Sequence, residues 1–356
     1  MLLLRKTLRI ILGGFACLLS FASYAQSYPP AWSNTATYAT GDQVQLNGNV
    51  LRAIRPDTTP GKFIYANWEL FEVRSNTTVM VGVGQTFTTL PAAWTYLENA
   101  RVCDGAYLHI YISTLHGLFR PAFNAPFSLD HGSGARISLI GDVQSNVQLG
   151  GSGGFPGDGL TIDSGHSFGS VSNLSIFGLG AGAGVRATGN SYLNLSGVAL
   201  VSFASGFEAD EGAHIHLSTS CTLAIISANG VAAKTSGSVY IDYGWSCTED
   251  GMSALVYAST GGSVSAEGMS VDGSNGLAVG ADAEDGGSID VSYSSIDEFR
   301  IGANAFDHSF INAQNAGFSK NGLDLNANDN GVINAANGGN PTIGVDSGTA
   351  SAVYKS

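Results

Sequence analysis

Apolar and polar residues alternate in short segments that recur through the second half of the chain. In each segment two apolar residues flank one mostly polar residue, and seven such pairs follow one another: Leu193/Leu195, Ile215/Leu217, Val239/Ile241, Val264/Ala266, Ile289/Val291, Ile311/Ala313 and Ile333/Ala335. The residue before each pair marks the start of a repeat. With one earlier repeat these starts are Phe168, Tyr192, His214, Ser238, Ser263, Ser288, Phe310 and Val332, which are 24, 22, 24, 25, 25, 22 and 22 residues apart. A period in the low twenties predicts a solenoid of stacked coils.

A second pattern of glycine, apolar, any residue, apolar lies between these segments. It occurs as Gly184-Val185-Arg186-Ala187, Gly206-Phe207-Glu208-Ala209, Gly230-Val231-Ala232-Ala233, Gly276-Leu277-Ala278-Val279 and Gly322-Leu323-Asp324-Leu325. Alternation of this kind predicts a second short strand in each coil. We expect the glycine to occupy a corner with backbone angles that other residues avoid.

These patterns predict an all-β fold, a right-handed single-stranded parallel β-helix. Leucine-rich repeats have a similar period, but their Leu/Asn consensus and helical segment are missing here. Right-handedness is the expectation for parallel crossovers. The 48 glycines and the 12% of charged residues agree with a loop-rich all-β chain.

Residues 1–25 have the pattern of a secretory signal peptide. Arg5, Lys6 and Arg9 precede an apolar run over residues 10–21, and Ser23-Tyr24-Ala25 resembles a cleavage site. An uncleaved membrane anchor is the alternative, although the run is shorter than the ~20 residues of a spanning helix. We therefore expect a secreted or cell-surface protein.

The charge of the chain is strongly negative. The net charge is −13, and removal of the three cationic residues in the signal segment would make it −16. Nucleic acids and anionic membranes are bound by clustered Lys and Arg, so neither is an expected partner.

Three cysteines follow the signal segment: Cys103, Cys221 and Cys247. The last two are about one coil apart, so they either form a disulfide between adjacent coils or remain two buried thiols. No cysteine spacing indicates a zinc site.

Residues 26–75 are predicted to form a small separate β unit with Gly-Asp and Asn-Gly turns. Its segments Ala31-Trp32-Ser33, Gly41-Asp42, Asn47-Gly48 and Trp68-Glu69-Leu70-Phe71 resemble the family 5/12 carbohydrate-binding modules of chitinases and cellulases, and related phage tail modules. The resemblance implies glycan binding, but Ile54-Arg55 stands where sugar-binding members carry paired aromatics. The alternative is a structural adaptor with Trp32, Tyr38 and Trp68 in its core.

Residues 76–356 are predicted to form the β-helix with an N-terminal cap. A strand over residues 79–83 precedes a helical stripe over residues 90–101, with apolar residues at Leu90, Ala93, Trp94 and Leu97, and strands over residues 108–112 and 137–140 follow. This order resembles the start of pectate-lyase-like β-helices, including phage tailspikes. The resemblance implies the fold and the option of a homotrimer, but it does not decide function, because lyases, hydrolases, adhesins and fibres share this architecture.

Candidate catalytic residues are Asp242 and Glu267, each the fourth residue after its coil start. Residues at one position of successive coils lie about 4.8 Å apart. Two carboxyl groups ~5 Å apart suit a retaining glycosidase.

Candidate sugar-contacting residues surround this pair. They are Tyr240, Tyr243, Trp245, Asp290 and Tyr293, with Tyr243 and Tyr293 expected in one column two coils apart. Aromatic rings beside carboxylates are suited to a neutral sugar chain. The alternatives for the same positions are a Ca²⁺ patch or ordinary outward polar residues.

Other charged residues favour no further chemistry. The clusters Glu208-Asp210-Glu211, Glu249-Asp250 and Asp282-Glu284-Asp285 are interpreted as solvated turns, with Ca²⁺ capture as the alternative. His214 and His216 share a face without a metal-binding spacing, so no metal or other cofactor is expected apart from the Ca²⁺ option. Few cations follow Arg136, which disfavours a uronate lyase.

We therefore expect a non-enzymatic adhesin-like or tail-fibre-like protein that contacts a neutral polysaccharide or cell-surface glycan. A glycoside hydrolase using Asp242 and Glu267 and a purely structural fibre component are the alternatives.

Overall fold

The computed structural model describes residues 29–57, 61, 63–151, 153–248, 251–273, 278–338, 341–345 and 351–355. The predicted signal segment and the Glu249-Asp250 pair lie outside these residues. The chain divides into two compact units, Met1–Leu70 and Phe71–Ser356. The predicted boundary is at residue 75.

The first unit contains an antiparallel hairpin. Strands Gln43–Leu46 and Asn49–Ala53 pair through a two-residue turn in which Asn47 and Gly48 have φ values of 52° and 81°. Positive φ at both positions is characteristic of the tight hairpin turn that an Asn-Gly sequence favours. A 3-10 helix follows at Tyr65–Asn67, and then the strand Trp68–Val73 begins.

An aromatic cluster forms the interior of this unit around Trp68. The Trp68 side chain is buried, and its Nε1 donates to Asp57 Oδ2 over 3.0 Å. The ring of Tyr38 meets it edge-on with centroids 5.1 Å apart, and Phe63 stacks on it at 5.7 Å. Of the three aromatics predicted for the core, Trp68 is fully enclosed, whereas Trp32 and Tyr38 are half-buried.

The second unit begins with a helical cap. Helix α1, Leu90–Leu97, starts where Thr89 Oγ1 accepts a hydrogen bond from Ala92 N, and it buries Leu90, Ala93, Tyr96 and Leu97. Trp94 packs edge-on against Phe127, with ring centroids 5.4 Å apart. The predicted helical stripe extended to residue 101, but Arg101–Val102 is a strand that pairs in parallel with residues 72–73.

Three parallel ladders of strands form the solenoid, and we name them sheets A, B and C. In sheet A the Cα partners run from coil to coil in the predicted order Tyr192, His214, Ser238, Ser263, Ser288, Phe310 and Val332. Its strands are Thr77–Val81, Leu108–Ile112, Ile137–Gly141, the first parts of Ser167–Phe177 and Tyr192–Ala209, then His214–Leu217, Ser238–Ile241, Ser263–Ser265, Ser288–Asp290, Phe310–Asn312, Val332–Asn334 and Ala352–Tyr354.

Sheets B and C make up the other two walls. Sheet B contains Gln148–Leu149, the later part of Ser167–Phe177, the middle of Tyr192–Ala209 and the start of Thr222–Ala233, followed by a separate ladder of Ser246–Thr248, Ser270–Asp272, Ser295–Asp297 and Gly317–Ser319. Sheet C contains Phe127–Ser128, Leu160–Ile162, Ala183–Ala187, the ends of Tyr192–Ala209 and Thr222–Ala233, then Ala254–Ala258, Val279–Ala283, Ile301–Ala305, Leu323–Ala327 and Ile343–Val345.

The predicted inward residues of sheet A form the core. All seven apolar pairs are buried, and Leu195, Leu217 and Ile241 are direct ladder partners. Burial of each large aliphatic side chain contributes roughly 1.5–3 kcal/mol. The predicted start at Phe168 is one residue late, because Ser167 is the partner of Tyr192, and a bulge between Phe168 and Val171 changes the register.

The glycine pattern was interpreted wrongly in two respects. Sheet C aligns Val231, Ala281 and Leu325 through intervening coils, so Gly322 does not occupy the position of Gly230, whereas Gly280 and Gly302 do. The prediction for Gly276 lies outside the described residues. In addition, Gly184, Gly206 and Gly230 do not have positive φ, so they do not adopt the unusual backbone angles that were predicted for a corner. A Cβ atom at Gly230 would lie 2.7 Å from the Leu255 carbonyl oxygen of the next coil, so close stacking requires the glycine.

Of the two alternatives for Cys221 and Cys247, the disulfide is absent, and of the two separate thiols only Cys221 is buried, whereas Cys247 is half-buried. Cys221 lies just before the strand Thr222–Ala233, whereas Cys247 is the middle residue of Ser246–Thr248, and both side chains are present as thiols. Cys221 is fully buried, and this burial raises the pKa of its thiol.

Candidate functional site

Sheet A exposes two outward columns of side chains. The first contains Tyr192, His214, Ser238, Ser263, Ser288 and Phe310, and the second contains Asn194, His216, Tyr240, Ser265, Asp290 and Asn312. These residues point away from the core because they alternate with the buried pairs. The serines are small, so the surface is lower where they follow one another.

A shallow depression of about 340 Å³ lies at this position, and we name it the serine depression. Its lining residues are Ser238, Val239, Tyr240, Ser263, Val264, Ser265, Ser288 and Asp290. Tyr240, with 52% of its side chain exposed, stands on one side. Asp290 stands two coils further on, and Phe310, 41% exposed, follows Ser288 in the ladder.

Hydrogen bonds fix the carboxylate of Asp290. Its Oδ1 accepts from the backbone N of Ser292 over 2.9 Å, and its Oδ2 accepts from Asn312 Nδ2 over 3.0 Å. Asn334 Nδ2 in turn donates to Asn312 Oδ1 over 3.3 Å. The carboxylate therefore presents acceptor capacity in a defined direction at the edge of the serine depression.

Tyr240 is supported from the preceding coil by His216. Their ring centroids lie 5.2 Å apart at an interplanar angle of 56°. His216 Nε2 lies 2.8 Å from Asp242 Oδ1. Asp242, a predicted catalytic residue, is thus engaged by a histidine and does not line the serine depression.

The turn that follows sheet A does not have the same length in every coil. The prediction that Asp242 and Glu267 are neighbours assumed equal lengths. Tyr240 aligns with Ser265, and Ser246 aligns with Ser270, so residues 241–245 face only residues 266–269. The coil that starts at Ser238 therefore has one residue more in this corner. Counted back from the next strand, the partner of Glu267 is Tyr243 rather than Asp242. Glu267 is exposed in this turn, and neither Asp242 nor Glu267 lines the serine depression. Catalysis by the pair stays a prediction.

Tyr243 and Tyr293 project from this corner, with 68% and 58% of their side chains exposed. The ring of Tyr243 lies over Gly268, where any Cβ atom would overlap it. Tyr293 has a φ of 58°, a left-handed conformation that the equivalent Gly268 and Asn315 share. Because the coil that contains Tyr243 has one residue more before the next strand, Tyr243 and Tyr293 do not form the predicted single column.

Trp245 does not belong to the exposed patch. Its side chain is fully buried, and its Nε1 donates to the carbonyl oxygen of Cys221 over 2.8 Å. The residues at the same position of the next coils, Met269, Ser294 and Ala316, are buried as well. A buried residue directly before each strand of this ladder is the sequence signal that would have placed Trp245 in the core.

Two acidic residues that were interpreted as solvated turn residues are instead parts of strands. Glu208 is buried in sheet C and forms ion pairs with Arg186 at 3.1 Å and Lys234 at 2.8 Å. Burial raises the pKa of Asp282 to about 6, and the nearby Glu284 carboxylate acts in the same direction. Tyr257 donates its hydroxyl to Glu284 Oε2 over 3.1 Å.

His214 and His216 share the outward face of sheet A, as expected, but they have different partners. His214 Nδ1 is hydrogen-bonded to Ser238 Oγ. Within the described ranges no three or more His, Cys, Asp or Glu side chains are grouped in a way that suits a metal ion. Nor does any helix among those residues have the length and apolar character of a membrane span.

Comparison with protein-family models, with curated proteins and with solved structures found no match for this chain.

Proposed function

We propose that this protein is an extracellular β-solenoid that binds a neutral polysaccharide at the serine depression without cleaving it. The observation that carries the proposal is the composition of this depression on three consecutive coils. An exposed aromatic ring, a row of serine hydroxyls and an oriented carboxylate converge there.

A neutral sugar matches these groups chemically. The ring of Tyr240 offers an apolar face for the C–H side of a pyranose, and the hydroxyls of Ser263 and Ser265 can donate and accept hydrogen bonds. The Asp290 carboxylate accepts from sugar hydroxyls. An anionic polysaccharide would meet this carboxylate and a chain of net charge −13, which disfavours its approach.

The positions of the two predicted catalytic carboxylates favour a binding protein over a hydrolase. A glycosidase places one carboxyl group on each side of the bond that it cleaves. Asp242 is hydrogen-bonded to His216, and Glu267 lies in an exposed turn. Neither borders the serine depression.

The same proposal includes the structural relatives of the two units, the role of the protein and its oligomeric state. The three parallel ladders and the helical cap support a relationship to pectate-lyase-like β-helices such as phage tailspikes, and with it an adhesin-like or tail-fibre-like role and a homotrimer. The Asn-Gly hairpin and the Trp68 cluster support a carbohydrate-binding-module-like first unit. Secretion through residues 1–25 would place the solenoid where it meets a cell-surface glycan.

A binding experiment with a filled depression tests the proposal. The full chain is screened on an array of neutral glycans, and the best oligosaccharide is then titrated by calorimetry. Ser265→Tyr places a ring on the floor of the depression and should abolish binding. Thr222→Tyr, at an exposed strand position of sheet B, is the matched control and should bind as the wild type does. Unchanged affinity in Ser265→Tyr would rule out this site.

A product assay on the same oligosaccharide separates binding from hydrolysis. We expect no new reducing ends with the wild type. Asp242→Asn and Glu267→Gln should then change affinity only modestly. Turnover by the wild type that disappears in both variants, with affinity retained, would instead identify a hydrolase.

A further inference from the structure

The ring of Tyr243 lies flat on the backbone of the next coil. Three neighbouring ring atoms would overlap a Cβ atom at Gly268, and Cδ2 and Cζ, at 2.5 Å and 2.6 Å from that position, are almost as near to it as Cε2 between them. Such similar distances mean that the face of the ring, not its edge, is directed at the glycine. One face therefore rests on Gly268, while 68% of the side chain stays exposed.

The backbone beneath this ring is held by the following coil. Gly268 N donates to the Ser292 carbonyl oxygen over 2.8 Å, and Tyr293 N donates to the Gln314 carbonyl oxygen over 3.0 Å. The same bond in consecutive coils places Gly268 and Tyr293 at equivalent positions of the corner. Because coils are stacked about 4.8 Å apart, the ring that rests on Gly268 and the exposed side chain of Tyr293 belong to one surface.

Tyr293 keeps its exposed ring in a backbone conformation that does not favour tyrosine. Its φ is 58°, and the equivalent Gly268 and Asn315 have φ values of 67° and 58°. Glycine and asparagine adopt this left-handed conformation more readily than other residues. The side chain is 58% exposed, so packing within the solenoid does not offset the cost. Unfavourable conformations of this kind are concentrated at ligand-binding positions.

The corner continues the serine depression along one coil. Ser263 and Ser265 form the middle coil of the depression, and the same coil passes through the exposed Glu267 to Gly268. The three residues from Ser265 to Gly268 span at most about 10 Å. A short oligosaccharide covers this distance, whereas a single pyranose ring does not.

Along the solenoid axis, larger side chains border the depression. In one outward column the three serines lie between His214 and Phe310. In the other column Ser265 lies between Tyr240 and Asp290. A sugar chain that extends beyond the depression therefore meets less bulk along the coil than along the axis.

We propose that Tyr243 and Tyr293 form a second sugar subsite, so that the ligand is a linear neutral oligosaccharide that runs along the coil of residues 263–268. The inference rests on the proposed function, because the serine depression is the first subsite. One sugar ring lies against Tyr240, and another stacks on the exposed face of Tyr243 beside Tyr293. The Glu267 carboxylate between them accepts hydrogen bonds from sugar hydroxyls.

Calorimetry of the full chain with a length series of the best neutral oligosaccharide tests the subsite. The wild type should bind the longer members about five-fold more tightly than the shortest member that binds, the size expected for one aromatic contact. Tyr243→Ala should remove this gain and leave the affinity for the shortest member unchanged. Tyr240→Ala should weaken the binding of all members.

Tyr293→Asn separates a lost contact from a lost structure. Asparagine has the same φ at the equivalent residue 315, so the variant should unfold at a higher urea concentration than the wild type. It should nevertheless lose affinity for the longer oligosaccharides. Wild-type affinity for every length in both Tyr243→Ala and Tyr293→Asn would overturn the inference.

Two exposed aromatic residues on sheet A test the direction of the sugar chain. Tyr192 and Phe310 are each 41% exposed and lie on either side of the depression along the axis. Tyr192→Ala and Phe310→Ala are the matched controls and should keep the gain of affinity with length. A gain that disappears in Phe310→Ala and persists in Tyr243→Ala would show an axial chain and would also overturn the inference.

The outcomes separate the two proposals. Binding that depends on Tyr240 but not on Tyr243 or Tyr293 overturns the second subsite and leaves the proposed function intact. Length-dependent binding that requires Tyr243 and Tyr293 but not Tyr240 supports the corner as a sugar site and overturns the serine depression as the binding site. An absence of binding to any neutral oligosaccharide overturns both.

Discussion

Tyr293 shows how a single residue can keep an unfavourable conformation. Its φ of 58° is shared by Asn315 and Asn337 at the same position of later coils, and Gly268 precedes it with 67°. Glycine and asparagine adopt this conformation readily, whereas a bulky residue does so at a cost of about 1 kcal/mol. The ring is exposed rather than packed, so the fold gains little from it.

Asp282 is a residue whose surroundings disfavour its negative charge. It stands on sheet C in a column with Asn304 and Asn326, where each amide donates to the preceding residue, over 2.7 Å and 2.8 Å. Burial raises its pKa from 3.8 to about 6, and repulsion from Glu284 contributes. Arg300 and the Asn304 hydrogen bond act in the opposite direction. The ionised form is therefore less favourable in the folded state than in the unfolded chain.

This shift predicts a pH dependence of stability with a definite sign. A folded pKa above the unfolded value means that stability is fully present below about pH 4 and is lost as pH rises through about 6. Asp282→Asn, which continues the asparagine column, should raise the unfolding free energy by about 1–2 kcal/mol at pH 8 and change little at pH 3.5. Chemical denaturation at both pH values measures this. Asp285→Asn in the exposed turn is the control. A gain of equal size at pH 3.5 would contradict the assigned cause.

At the scale of elements, helix α1 is tied to the solenoid by a neutral histidine. His131 is buried, its Nε2 donates to the Leu97 carbonyl oxygen over 3.0 Å, and its Nδ1 accepts from Ser133 N over 2.9 Å. Burial lowers the pKa of His131, and His166 acts in the same direction, while the bond to Leu97 opposes them. Protonation would place a hydrogen on Nδ1, opposite another N–H donor.

The cap should therefore loosen on acidification. A depressed folded pKa means that the stability is present above the unfolded value near 6.5 and is lost as pH falls through the folded value. We expect the amides of helix α1 to lose protection against hydrogen exchange between pH 7.5 and pH 5, after correction for intrinsic rates. His131→Gln should remove most of this dependence, whereas His116→Gln, at an exposed site, should not. Equal losses in all three proteins would exclude His131 as the cause.

The strands of sheet A could be predicted from the sequence, whereas the corners could not. Alternation with period 2 is a property of each strand alone, so the buried pairs from Leu193/Leu195 to Ile333/Ala335 are visible without a structure. The corner length varies between coils, and a glycine followed by alternating apolar residues occurs at several phases of the repeat. Gly322 and Trp245 were misplaced for this reason. Only the pairing of neighbouring coils fixes the phase.

At the scale of the whole solenoid, the proposed binding surface is formed by the stacking of coils. Each coil contributes one or two outward residues to sheet A, and no coil contains a complete site. The sequence predicted that Tyr240 and Asp290 share a surface, but the depression between them depends on the small serines of the intervening coils. Its depth is set by the sizes of neighbouring side chains across the ladder, which a single repeat does not contain.

The central claim is that the ring of Tyr240 binds a neutral polysaccharide at the serine depression, and one pair of titrations tests it most directly. Tyr240→Ala and Tyr107→Ala remove tyrosines that are equally exposed, at 52% each, on the same unit. Calorimetry with the best neutral oligosaccharide should give a Kd about five-fold higher for Tyr240→Ala and an unchanged Kd for Tyr107→Ala. Equal affinity in the wild type and in Tyr240→Ala would contradict the account.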